Sequence, residues 1–160
     1  MDAQHIFPAS PCPAYTDFPA IPLYRDQVLS FLNQALSPLL GEAEPLSTAM
    51  INNYVKLKVL SPPEHKKYSR EQVISLYLIA LCKQVLTMGE IRQLLAAEFP
   101  PEEMEAAYTR FCAAMTAELA GLEGGSPAQV QSGHTLCDAV VRAFVYRRYA
   151  AWLLENPGSV

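Results

Sequence analysis

The chain has 160 residues, 51% of them hydrophobic and 18% charged, with a net charge of −4; this is enough for one domain with a sizeable core and too acidic for a protein that coats a polyanion with its whole surface. The longest apolar run, within Val73 to Cys82, is about ten residues against the roughly 20 of a membrane-spanning helix, and the start MDAQHIFPAS lacks the basic and apolar regions of a signal peptide. The four cysteines (Cys12, Cys82, Cys112, Cys137) show no Cys-x-x-Cys pair and no zinc-ligand spacing, so free thiols in a reducing cytoplasm are expected, with no metal and no cofactor.

Residues 1–22 hold five of the thirteen prolines, interleaved with Ile6, Phe7, Tyr15, Phe18 and Ile21. Proline at that density excludes a helix or a central strand, so an extended arm is expected. Its aromatics are more than a disordered tail needs, which predicts that part of the arm lies along the folded body. From Tyr24 to Leu40, Val28, Phe31, Leu32, Ala35, Leu36 and Leu39 recur at helical spacing and give an amphipathic helix. Gly41 ends it, and the GEAEP segment is the turn that follows.

Ser47 and Thr48 are N-cap candidates for a short helix with Ile51, Tyr54 and Val55 inward and Asn52, Asn53 and Lys56 outward. Asparagine is a poor helix former, because its amide competes for nearby backbone groups. The same amide can pair with N6 and N7 of adenine together. Val59-Leu60 and Lys66-Lys67-Tyr68, joined by Ser61-Pro62-Pro63-Glu64-His65, read as two short strands of a small wing that must lean on helices. From Lys56 to Arg70 there are five basic residues and one acid, a net +4, while the other residues carry −8. Positive charge gathered on one small element of an acidic protein points to a polyanionic partner, with Lys66 and Lys67 on phosphates.

Ser69 to Gln72 is a capping box, and the helix after it, to about Val85, is apolar nearly all round and therefore central. Thr87 to Glu90 repeats the box before Ile91, Leu94 and Leu95. Pro100 and Pro101, followed by Glu102, Glu103 and Glu105, open another helix, whose stripe is Met104, Tyr108, Phe111, Met115, Leu119 and Leu122. After the GGSPAQVQSGH loop comes a last helix, Thr135 to Glu155, with Arg142, Arg147 and Arg148 outward. The two final helices are expected to pair antiparallel.

The segments Tyr54-Val55-Lys56, Leu60-Ser61-Pro62, Tyr68 and Gly89-Glu90-Ile91-Arg92-Gln93-Leu94-Leu95 resemble, in order and type, the recognition helix, wing and following helix of the MerR class of bacterial transcription regulators. More closely, Thr48-x-Met50-Ile51-Asn52-Asn53-Tyr54-Val55-Lys56 with Lys67-Tyr68-Ser69 is similar to an uncharacterised bacterial family that carries a domain of unknown function with helix-turn-helix character. Two positions depart from the MerR-class pattern. Asn52 replaces an arginine, and Lys58 stands where a glycine usually ends the recognition helix, at a left-handed turn.

Cys112, His134 and Cys137 could meet as a soft-metal or redox site if the last helices pack in register, but buried cysteines more often act as small hydrophobes. The aromatics Tyr108, Phe111, Phe144, Tyr146, Tyr149 and Trp152 fit a core better than an effector pocket. No phosphate loop, nucleophile elbow or carboxylate pair suggests an enzyme.

The reading is an all-α protein with a small β-hairpin wing, a MerR-like winged helix-turn-helix plus a C-terminal helical pair. Its parts are an arm at 1–22, a DNA-binding domain at 23–98 and a helical hairpin at 99–160 for dimerisation or an effector, though no sequence feature supports an effector. The expected function is DNA-binding transcription regulation, as a homodimer on double-stranded DNA away from any membrane. Ser47, Thr48, Asn52, Asn53, Tyr54, Lys56, Lys58, His65, Lys66, Lys67 and Arg70 form the candidate interface. The competing expectation is a protein-interaction module that keeps the fold without binding DNA.

Overall fold

Helix starts are set locally, by side chains that answer the free N–H groups of a first turn. Ser69 Oγ accepts from the Gln72 N–H at 3.2 Å while Gln72 Oε1 accepts from the Ser69 N–H at 2.8 Å, and Thr87 and Glu90 repeat the exchange at 3.2 and 2.9 Å. The second exchange, through the Thr87 backbone N–H first, holds the Glu90 carboxyl below its usual value.

The computed structural model describes residues 11–41, 45–123 and 136–156. The apolar residues Ile6 and Phe7 of the arm, part of the turn after Gly41, and the loop containing His134 lie outside the described residues. In chain order the elements are β1 (Leu23–Tyr24), α1 (Arg25–Leu40), α2 (Thr48–Lys56), β2 (Lys67–Tyr68), α3 (Arg70–Cys82), α4 (Met88–Glu98), α5 (Met104–Glu123) and α6 (Leu136–Glu155), with single 3-10 turns at Pro101–Glu103 and, departing from a wholly extended arm, at Tyr15–Asp17. The fold is all-α with one small antiparallel two-stranded sheet among the described residues.

The axis of the core is α3. Val73, Ile74 and the whole run Leu76 to Cys82 are buried, so it has no polar face beyond its ends, and α1, α4 and α6 pack around it. The inward stripes expected of α1, α4 and α5 are buried at Val28, Leu32, Leu36 and Leu39, at Ile91, Leu94 and Leu95, and at Met104, Tyr108, Phe111, Met115 and Leu119.

The N-terminal arm does more than lie on this body. Phe18 is 0% exposed and its ring meets those of Phe31, Tyr77 and Tyr108 at centroid distances of 5.3, 5.8 and 5.3 Å. The Tyr108 hydroxyl donates to the Pro13 carbonyl at 2.6 Å, a proline carbonyl that no helix or sheet of its own would satisfy. The buried cluster runs without a break from Phe18 to Val145, across the boundaries drawn at 22 and 98.

Two long-range expectations are corrected. The strand paired with Lys67–Tyr68 is not Val59-Leu60 but Leu23–Tyr24, with Leu23 opposite Tyr68 and Tyr24 opposite Lys67. Val59 and Leu60 are buried in the turn that ends α2, where packing outweighs their strand propensity. The last two helices, in turn, are not antiparallel. Cys137 lines a cleft with Ala113 and Ala114, and farther along both helices Arg142 pairs with Glu118, so α5 and α6 run in the same direction. That ion pair draws Arg142 inward instead of leaving it in solvent, because Glu118 is itself buried and a buried carboxylate needs a cation.

Candidate nucleic-acid interface

The helix α2 is short, and its two ends are fastened by different means. At its start Ser47 Oγ accepts from the Met50 N–H at 3.3 Å. Just before that, Asn33 of α1 clasps the backbone of Leu46, donating to its carbonyl at 3.1 Å and accepting from its N–H at 2.6 Å. At its end the Val59 N–H donates to Tyr54 O at 2.9 Å and the Lys58 N–H to Val55 O at 3.0 Å. These are the two bonds of a Schellman cap, and Lys58, at φ 60°, occupies the left-handed position that glycine usually fills. The lysine keeps the cap that its identity put in question. Ile51 and Tyr54 then face the core, while Asn52, Asn53 and Lys56 face outward, as their spacing predicts.

The basic turn is a tighter device than the sequence suggests. Glu64 and Lys67 exchange both backbone bonds, at 3.0 and 2.9 Å, and the two residues between them, His65 and Lys66, have φ of 50° and 64°. That is a two-residue turn of the type usually built from Asn-Gly. Its base is tied to α3 by Gln72, whose Nε2 donates to Ser61 O at 3.1 Å and Pro62 O at 2.9 Å.

The turn divides its side chains between two sides. Lys66 lines a cleft of about 820 Å³ with Asn52 and Val55 of α2, and with Tyr24, Arg25 and Asp26 where β1 passes into α1. His65 and Lys67 line a second cleft, of about 610 Å³, with Glu71 and Gln72 of α3. The Lys67 ammonium also sits 4.9 Å from the centroid of the Tyr24 ring. Of the residues singled out by sequence, Ser47, Asn52, Asn53, Lys56, Lys58, His65 and Lys66 are exposed, and Thr48 and Lys67 are half-buried.

The other two turn toward the body of the protein, Tyr54 as its inward spacing predicts. Tyr54 is 3% exposed and is a core residue. Arg70 serves the arm, with its Nε donating to Phe18 O at 3.1 Å and its guanidinium 4.8 Å from the Tyr15 ring centroid; the carbonyl next to a buried aromatic needs that donor. Missed from sequence were Tyr24 and Arg25, which reach the cleft because β1 pairs with β2. Their signal was weak, a two-residue strand directly before a helix.

The less favoured meeting of Cys112, His134 and Cys137 includes a residue outside those described. Cys137 is buried and lies within electrostatic reach of both Cys82 and Cys112, Cys112 lies beside Cys12, and the one left out is His134. Among those described, no group of three His, Cys, Asp or Glu side chains could hold a metal ion, and no helix is long and apolar enough to cross a membrane.

A family model described as a domain of unknown function, DUF1836, matches residues 13–111. The chain belongs to the DUF1836 family. The matched span runs from the docked arm through α1 to α4 and into α5, so the DUF1836 unit contains both the cleft and the arm that supports it. Its two ends are joined within the fold by the Tyr108 to Pro13 hydrogen bond. Comparisons with curated proteins and with solved structures returned no match for the chain.

Proposed function

We propose that this DUF1836 protein binds double-stranded DNA, with the outer face of α2 in the major groove and the tight basic turn against the phosphates. The observation that carries the reading is a backbone one. The non-glycine residues in left-handed conformation among those described are Lys58, His65 and Lys66. Each is a position where glycine would relieve roughly 1 kcal/mol of strain, and each instead keeps a long or basic side chain at the surface, Lys58 and Lys66 beside α2 and His65 on the α3 side of the turn. Such strain gathers where side-chain chemistry is needed. Lys66 and Arg25 share a cleft with Asn52, so cations and a base-reading amide lie together.

The helix-turn-helix reading of α1 and α2, braced by Asn33, belongs to the same proposal, as do the MerR-like docking mode, a role in transcription, and a two-fold dimer. Exposed Tyr146 and Leu154 on α6 favour the C-terminal helices as that dimer's interface.

The test is a titration against random-sequence duplex DNA at several salt concentrations. Affinity should fall linearly in log salt, and Lys66→Ala should make the slope shallower by about one. No binding at low salt, or a slope indifferent to Lys66, would overturn the proposal. A second reading, a protein-interaction module, is favoured by Tyr24 at 52% and Leu57 at 41% exposure beside the same face, apolar groups that phosphates do not need. Binding to a protein partner that is insensitive to salt would establish it instead.

A further inference from the structure

We propose that Cys12 and Cys112 form a peroxide-driven disulfide that locks the N-terminal arm onto α5, a modification independent of any nucleic-acid role. Cys12 directly precedes Pro13, and the two thiols are close enough for each to shift the other's protonation. One belongs to the arm and the other to the helix on which the arm lies. The Cys112 Sγ also reaches the Pro13 carbonyl at 3.8 Å, the same oxygen that takes the Tyr108 hydroxyl. Cys12 and Cys112 flank the ends of the family span, at 13 and 111, so a bond between them would close that unit on itself.

Access and reactivity distinguish this pair from the other thiols. Cys12 and Cys112 are both half-buried, whereas Cys82 and Cys137 are buried. Cys12 also lines a cleft of about 440 Å³ between the arm and α1, through which a small oxidant can enter. The hydrogen bond from Cys12 outweighs burial and holds the Cys112 thiol below its ordinary value, which favours the thiolate as the attacking form. A second thiol already in contact is what turns a first oxidation into a disulfide instead of an over-oxidised acid.

The oxidant is a peroxide, and the steps balance. The Cys112 thiolate attacks one peroxide oxygen; an S–O bond forms, the O–O bond breaks, and hydroxide leaves to be protonated by solvent. The Cys12 sulfur then attacks the Cys112 sulfenic acid; the S–S bond forms, the S–O bond breaks, and the hydroxide departs as water with the Cys12 proton. Two thiols are oxidised by two electrons and one peroxide is reduced to water. The sulfurs must close to bonding distance, a movement that falls to Cys12, which lies ahead of the points where Pro13 and Phe18 are held.

The experiment treats the purified full chain with a small excess of hydrogen peroxide, follows its intact mass, and maps peptides without reduction. The expected result is a loss of about 2 Da, the two thiol hydrogens, with one cross-linked peptide pair joining Cys12 to Cys112. It should be reversed by dithiothreitol and accompanied by a higher thermal midpoint in the oxidised form. Cys12→Ser should give an oxygen adduct at Cys112, trapped by dimedone, in place of the mass loss. An unchanged wild-type mass, a cross-link through Cys82 or Cys137, or the same mass loss in both Cys12→Ser and Cys112→Ser would overturn the proposal. The wild-type peptide map decides the matter even if a variant fails to fold.

Discussion

Lys58 ends α2 in a conformation that costs a residue with a Cβ about 1 kcal/mol relative to glycine. Lys58→Gly should therefore stabilise the protein by roughly 0.5–1 kcal/mol in urea unfolding, and His65→Asn with Lys66→Gly should do the same for the turn. On the DNA reading both changes should weaken DNA binding while raising stability, and a variant that gains stability and keeps full affinity would argue that these side chains never touch phosphate. The sequence reveals that a glycine is missing from position 58. It does not reveal whether the cap survives, because that depends on whether Val59 finds a buried seat. Arg70 shows the same limit: its charge is evident in the sequence, but its partner is the carbonyl of Phe18, on a segment with no periodic pattern to place it.

At the scale of elements, the arm and the basic turn are one assembly. Phe18 fills the space between Phe31, Tyr77 and Tyr108, and the chain runs from it into β1, the partner of β2. Phe18→Ala should cost roughly 3–5 kcal/mol of stability and should also speed hydrogen exchange at the amides of Glu64 and Lys67, since the turn loses the strand it leans on. Faster exchange at α4 but not at the turn would contradict that linkage. The capping boxes at Ser69 and Thr87 are legible in the sequence because donor and acceptor lie three residues apart. The partner of Tyr68 is not, since Leu23 stands on the far side of two helices and its two-residue strand is too short to show alternation. The direction of α6 against α5 escapes for the same reason, being set by Arg142 finding Glu118 and by Cys137 settling beside Ala113 and Ala114.

Across the whole molecule, burial pushes the thiols of Cys82 and Cys137 up from 9.0 to about 12, and burial raises the phenols of Tyr77 and Tyr108 as well. Folded-state values above unfolded ones mean that the folded chain holds more protons in this window. The stabilisation is complete below the unfolded values and is lost as pH rises through the folded ones. The urea midpoint should accordingly fall steadily from about pH 9 toward 12, and Cys82→Ala with Cys137→Ala should flatten that fall. A midpoint independent of pH in that range would mean that these groups are less buried than the packing around α3 indicates.

The seating of Phe18 also sets the order in which the protein can be assembled. The arm emerges from the ribosome before the rings that enclose Phe18, since Tyr77 and Tyr108 sit on α3 and α5 and are synthesised later. Until α5 is made, Phe18 lacks part of the aromatic cage that seats it. A segment made before these helices therefore docks after them, and the strand pairing beside the basic turn is secured only once α5 has left the exit tunnel.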